Sequence, residues 1–117
     1  MHTSENIQSY LPLTEVTYFI LLSLASAQKH GYAIMKDVEA MSHKRVSLST
    51  GTLYGALKRL LEHGFVLRSD EGEANHTGRT RKNYRLTDLG HRVLQAEVNR
   101  LDNLVTAAQL RSINQGV

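Results

Sequence analysis

The run Ser47-Leu-Ser-Thr-Gly-Thr-Leu-Tyr-Gly-Ala-Leu-Lys-Arg59 gathers side chains that could act together on a charged partner. Leu53, Leu57 and Leu60, with Leu61 beside them, form one apolar stripe, so the run predicts a helix starting at Ser49 or Thr50. Away from that stripe, its first turn holds Ser49, Thr50, Gly51 and Thr52, followed by Tyr54, Lys58 and Arg59. Hydroxyls and unpaired N–H groups at a helix start suit phosphate oxygens, and the helix dipole favours negative charge there. A helix entering a major groove end-on would offer these positions to base edges. Gly51 and Gly55 lack bulk where a backbone could press close to DNA. Serine and threonine also cap helices for purely local reasons, so this run does not decide the matter alone.

A second cluster, Arg79, Arg81, Lys82 and Arg85, follows Gly78 on the returning limb of an expected hairpin. Long basic side chains on a hairpin suit the phosphates along a groove edge. Asp70, Glu71 and Glu73 on the outgoing limb would repel phosphate, so they are expected to face away. Two basic elements in one small domain point to double-stranded DNA more strongly than either does alone.

Catalytic and metal chemistry find little support. His2, His30, His43, His63, His76 and His91 are scattered without paired spacing, and there is no cysteine to form a thiolate site or a disulfide. No phosphate-binding glycine loop, nucleophile elbow or carboxylate pair is visible. The expectation is therefore no enzyme, no metal and no cofactor. His30 is expected to order the turn before the second helix, and His63 to sit at a helix C-terminus, where the dipole suits it.

The elements that must position these clusters follow from the hydrophobic pattern. Residues 1–12 read as a polar, flexible arm. Thr14 is the expected N-cap of a first helix, Glu15 to Ala27, which is apolar around nearly its whole circumference. Such a helix must pack on its own core and on something else. A break at Gln28–Gly31 precedes an amphipathic second helix, Tyr32 to Met41, with Ile34, Val38 and Met41 inward. A polar link, Ser42 to Leu48, leads to the third helix, which Gly64 stops. Strands are expected at Phe65–Arg68 and Asn83–Leu86, with Phe65 and Leu67, then Tyr84 and Leu86, facing inward around a loop at Ser69–Lys82. Thr87 caps a last helix whose Leu94, Val98, Leu101, Val105 and Ala108 make a coiled-coil-like seam for dimerization. The fold class is mainly α with a small β-hairpin, a winged helix-turn-helix over 13–86 and a long C-terminal dimerization helix over 87–117.

The 117 residues fit one domain with one modest core. Hydrophobic residues at 41% and charged residues at 21% exclude a disordered profile, and the net charge of +3 leans mildly toward polyanions. No signal peptide is visible, and the longest apolar stretch, Tyr18 to Ala27, is too short to span a bilayer. A cytoplasmic protein without a membrane partner is expected.

His30-Gly-Tyr32, the run Leu48-Ser-Thr-Gly-Thr-Leu-Tyr54 leading into Ala56-Leu-Lys-Arg-Leu60, and Arg81-Lys-Asn-Tyr-Arg-Leu-Thr87 with Gly90 resemble the PadR family of bacterial transcriptional regulators. The likeness runs from about Leu13 to Ala108, with the three motifs in order. It implies a homodimer held by the C-terminal helix with help from the first, repressing a promoter and often released by a small molecule between the subunits. It places Ser49, Thr50, Gly51, Thr52, Tyr54 and Lys58 in the recognition helix and Arg79, Arg81 and Lys82 in the wing. Tyr32 falls near the DNA backbone. Family members commonly carry proline where this chain has Thr50 or Gly55, so its helix entry is expected to differ slightly. The single closing helix resembles the short subfamily. Tryptophan, which some relatives stack on aromatic ligands, is absent here. The competing reading is a winged-helix protein-interaction module without sequence-specific DNA binding.

Overall fold

A computed structural model of the chain describes residues 3–74 and 80–111, with backbone alone for residues 3–5, 71–74 and 80–81. A 3-10 helix at Thr3–Tyr10 precedes α1 (Glu15–Ser26), β1 (Lys29–His30), α2 (Gly31–Met41), α3 (Thr50–Glu62), β2 (Val66–Ala74), β3 (Thr80–Leu86) and α4 (Asp88–Leu110). The strands form one antiparallel sheet in the order β1-β3-β2. The architecture is mainly α, a winged helix-turn-helix closed by a long helix.

Three side chains cap the helices where the pattern placed them. Thr14 Oγ1 accepts the Thr17 N–H, Ser49 Oγ that of Thr52, and Thr87 Oγ1 that of Gly90, at 3.1, 3.1 and 2.9 Å. Each satisfies a donor that the helix itself leaves unpaired, a contribution of about 1 kcal/mol. α3 ends as expected at Gly64, whose φ of 77° suits glycine. The Gly64 N–H donates to Leu61 O and the Phe65 N–H to Leu60 O, closing the helix in a Schellman motif.

That turn also seats α4. Thr87 donates its hydroxyl to Gly64 O (2.6 Å) and its N–H to Phe65 O (3.0 Å). Gly90 lies so close that a β-carbon there would overlap Phe65 O. Between α2 and α3 the link turns through His43 and Lys44, both in the left-handed region at φ 55° and 67°. Ser42 braces this turn, its buried Oγ accepting the Val46 N–H at 2.9 Å.

The core joins Ile20, Leu21 and Leu24 of α1, Ile34 and Val38 of α2, Leu53, Leu57 and Leu60 of α3, and Val66, Tyr84, Leu86 and Val93. α1 buries one face only. Tyr18, Phe19 and Leu22 on its other side stay half-buried.

Several expectations need correction. Residues 3–10, read as part of a loose arm, form a 3-10 helix against α4, with Ile7 in the core and Tyr10 edge-on to Phe65. Apolar anchors, sparse as they are, hold an otherwise polar segment. The break at Gln28–Gly31 contains β1, whose Lys29 and His30 pair with Tyr84 and Asn83. The wing strands run further than expected, through Ala74 and from Thr80, with an irregular register between Asp70 and Ala74. Leu67 points outward, 47% exposed, and Val66 takes the inward position. Phe65 still belongs to the turn after α3, so the strand's alternation starts one residue later. Leu94 is absorbed into the protomer's own core rather than left on an outer seam.

Candidate nucleic-acid interface

The exposed side of α3 carries the residues expected of it. Ser49, Thr50, Gly51, Thr52, Tyr54, Lys58 and Arg59 are all exposed, while Leu53, Ala56, Leu57 and Leu60 are buried behind them. The hydroxyls divide their work. Ser49 Oγ accepts the capping bond and donates to Thr52 Oγ1 at 2.9 Å, leaving the Thr52 proton free to be donated outward.

The glycines separate into two kinds. At Gly31 and Gly90 a side chain would collide with neighbouring atoms. At Gly51 a β-carbon meets nothing within 4 Å, and at Gly55 only Arg59 Nη1 at 3.9 Å. Packing within the chain therefore explains the first pair and leaves the second, on α3, without an internal reason. Helix interiors disfavour glycine by roughly 0.5–1 kcal/mol relative to alanine.

The wing is built by cross-strand register. Val66, Arg68 and Asp70 stand opposite Leu86, Tyr84 and Lys82, so these six side chains share one face of the hairpin. Tyr84 is buried, and Arg68 hydrogen-bonds its hydroxyl. Burial, with Tyr54 close by, raises the Tyr84 phenol above its ordinary range, so it stays protonated. Lys82 extends this face beyond Tyr84 and is exposed. Its carbonyl meets His30 Nδ1 at 3.1 Å, which ties the wing to the start of α2. His30, expected to order a local turn, instead sits in β1 and makes no side-chain capping bond to α2. His63 follows α3 as its C-cap residue and stacks on Phe65.

One expectation fails here. Asp70 shares the face of Lys82 rather than turning away, so part of the wing's positive charge is offset at its root. Arg79 lies outside the described residues, as do the side chains of Arg81, Glu71 and Glu73. Tyr32 is exposed at the first turn of α2, with Lys36 Nζ 5.7 Å from its ring centroid. Arg68 escaped the sequence reading. Its alternation with Val66 and Asp70 was the available signal.

The seam expected on α4 divides between two environments. Leu94 is buried and Val98 is packed against the core, whereas Val105 is 50% and its neighbour Leu104 56% exposed. Leu101 is half-buried and Ala108 lies near it on the helix. Leu101 lines a cleft of about 250 Å³ with Leu13, Tyr18, Phe19, Arg45 and Arg100. Glu97, missed by the sequence reading, closes the floor of this region. Its carboxylate binds Arg100 through both oxygens, at 2.7 and 2.9 Å.

Among the described residues no helix is long and apolar enough to cross a membrane, and no group of three or more His, Asp or Glu could hold a metal.

A winged helix with an exposed, hydroxyl-rich third helix is a regulator's architecture, and comparison with known proteins agrees. Residues 20–96 match the transcriptional regulator PadR-like family, and the chain belongs to that family. No match was found among curated proteins. Among solved structures, a PadR family transcription regulator from Clostridium difficile R20291 is similar at 24% identity and a TM-score of 0.69, covering 83% of this chain and 97% of that one. A transcriptional regulator from Clostridium thermocellum is similar at 23% identity and a TM-score of 0.64, covering 100% and 99%. Both bear on the fold alone. Bacillus subtilis PadR, solved in complex with operator DNA, is 26% identical with a TM-score of 0.65, covering 74% of this chain and 47% of that one. This chain therefore spans about half the length of that relative.

Proposed function

We propose that this chain is a sequence-specific DNA-binding repressor that acts as a homodimer on a pseudo-palindromic operator. The observation that carries this reading is the exposed first turn of α3, polar and holding a glycine that no internal packing explains. A backbone pressed against DNA would supply the missing reason for Gly51 and Gly55. In this reading Ser49, Thr50, Gly51, Thr52, Tyr54 and Lys58 face the major groove. Arg79, Arg81 and Lys82 grip phosphates from the wing, and Tyr32 meets the backbone from α2. The relative solved with operator DNA supports the same assignment by analogy.

Residues 13–86 are assigned as the DNA-binding unit and residues 87–117, which begin with α4 (Asp88–Leu110), as the dimerization segment. Exposed Leu104 and Val105, with Leu101 and Ala108, favour a partner helix of the same kind. Val98 borders this surface, whereas Leu94 supports it from within the protomer. The cleft between α1 and α4, lined by Leu13, Tyr18, Phe19 and Leu101 and by the ion pairs Arg45–Glu15 and Arg100–Glu97, suits a small-molecule effector that would release the repressor. A cytoplasmic location follows from work on chromosomal DNA.

Selection of bound duplexes from a random or genomic pool tests this function. The expected result is a motif with two-fold symmetry and half-sites about one helical turn, or a multiple, apart. Recovery of no motif would instead favour a protein-interaction module built on the same fold.

A further inference from the structure

The first turn of α2 lies between the two elements assigned to DNA. Gly31, where α2 begins, sits under the Tyr54 ring of α3, so that a β-carbon there would overlap the phenol oxygen. One residue earlier, His30 Nδ1 meets the carbonyl of Lys82 in the wing at 3.1 Å. Tyr32 follows Gly31 and is 69% exposed. Lys36 stands one turn further along α2, with its Nζ 5.7 Å from the Tyr32 ring centroid. Ala33 and Ala40 flank this pair, and their small side chains leave a shallow trough on the helix.

The charges along the trough are not equivalent. Lys29 is turned into the protein, where its Nζ donates to Ser23 O at 2.7 Å and to Ser26 Oγ at 3.0 Å. It also pairs with Asp37 at 3.8 Å, which offsets the carboxylate that lines the trough. Glu39, three residues beyond Lys36, is half-buried and makes no ion pair with it. Among the described residues the exposed Lys36 ammonium has the Tyr32 ring as its partner and nothing else. No carboxylate compensates its charge.

We propose that Tyr32 and Lys36 form a clamp for one phosphate of the DNA strand that borders the major groove entered by α3. In a helix-turn-helix, the helix before the recognition helix crosses the sugar-phosphate backbone. Here α2 does so with this trough. The alanines admit the strand, Lys36 neutralises a phosphate oxygen, and the Tyr32 hydroxyl donates to the same group. The ring holds the ammonium near its target before DNA arrives, so less side-chain freedom is lost on binding. The clamp rests on the DNA-binding reading and extends it by one charged contact in each protomer.

The test titrates the selected operator and a scrambled duplex at several salt concentrations. Lys36→Gln should weaken both duplexes about equally and flatten the slope of log affinity against log salt by ~0.9 per protomer. Arg111→Gln, which removes the same charge just beyond α4, should leave the slope unchanged. Tyr32→Phe keeps the ring but not the hydroxyl, so it should weaken both duplexes without moving the slope. Replacing single operator phosphates by neutral methylphosphonates locates the contact. One position in each half-site should weaken the unmodified protein yet leave Lys36→Gln indifferent, because the charge that met it is already gone. A slope unmoved by Lys36→Gln, an equal change in Arg111→Gln, or full-strength binding by Tyr32→Phe would overturn the clamp. So would a methylphosphonate scan in which no position falls silent, or a Lys36→Gln loss confined to the operator. Where selection returns no motif, the slope on the scrambled duplex decides. If the unmodified protein binds neither duplex, the DNA-binding reading itself falls and the clamp with it. Binding that Lys36→Gln leaves untouched removes the clamp alone.

Discussion

The Glu97 carboxylate accepts the backbone N–H of Leu13, 84 positions earlier in the chain, at 3.1 Å. Glu97 is only 2% exposed, and Arg100 holds its other valences, so one buried charge pins the entry of α1 to the middle of α4. The two helices that border the proposed effector cleft are joined through it.

The Arg100 guanidinium, opposed by burial and helped by the Leu13 N–H, holds the Glu97 carboxyl below the ordinary 4.5. The unfolded chain therefore binds more protons than the folded one between that depressed value and 4.5. Stability from this group is fully present above about pH 4.5 and is lost as pH falls through the folded value. Glu97→Gln should cost about 1–3 kcal/mol at pH 7. Melting curves from pH 7 downward should show the gap between variant and unmodified protein narrowing below about pH 4.5. A gap that stays constant with pH would remove Glu97 from this role.

Gly90 makes a sharper claim about packing. Its missing side chain lets α4 start against Phe65 O, a backbone atom that cannot step aside. Gly90→Ala should destabilise by about 1–3 kcal/mol through overpacking, although alanine is the better helix former. Denaturant unfolding would measure it, and a neutral or stabilising result would refute the close approach.

Much of this was legible in the sequence because it is local. The 3.6-residue period, the caps at Thr14, Ser49 and Thr87, and the stop at Gly64 each need only a few neighbouring residues. What escaped is made by distant partners. Lys29 and His30 are too few to show a strand pattern, and they become β1 only because β3 lies beside them. Glu97 reads as one more helical charge until Leu13 arrives from the far end of the chain. Leu67 and Val66 are equally apolar, and the turn at Phe65 decides which of them faces inward. At the interface, residue types were readable but not their sharing of faces, so Asp70 beside Lys82 came from register alone.

Dimerization should rest on the exposed part of α4. Leu104 and Val105 are half exposed in the protomer, so a charge at Val105 should leave the fold intact while opposing association. The unmodified protein should scatter light as a dimer at micromolar concentration, and Val105→Asp as a monomer with an unchanged circular dichroism spectrum. A stable monomer before any substitution would sink the dimer reading.

The α3 glycines should trade stability for binding. A methyl group at Gly55 finds only the flexible end of Arg59, so Gly55→Ala should stabilise the free protein by about 0.5–1 kcal/mol. Gly51→Ala, in the first turn, should stabilise less. Both should weaken operator binding where the backbone must lie close to DNA. Variants that melt higher and bind as well as before would show that these glycines serve no ligand.

The last prediction separates the two roles given to polar residues on this surface. Phosphate contacts give affinity without sequence information and release counterions, whereas base contacts set preference. Arg81 and Lys82 are assigned to phosphates, and Thr52 to the groove, where its hydroxyl proton remains free beyond the Ser49 bond. Replacing Arg81 or Lys82 by alanine should weaken operator and scrambled duplexes about equally. Each lost phosphate contact should also flatten the slope of log affinity against log salt by ~0.9. The Lys82 change should be the smaller in affinity, since Asp70 opposite it already offsets part of its charge. Thr52→Ala keeps the backbone N–H that Ser49 caps, so its stability should hold while operator binding falls more than scrambled binding. Its salt slope should stay nearly unchanged. Titration of both duplexes at several salt concentrations reads all of these values together. If the wing variants shift sequence preference and Thr52→Ala shifts only the salt slope, the two assignments are reversed. If neither set affects binding, the surface that meets DNA lies elsewhere on the chain.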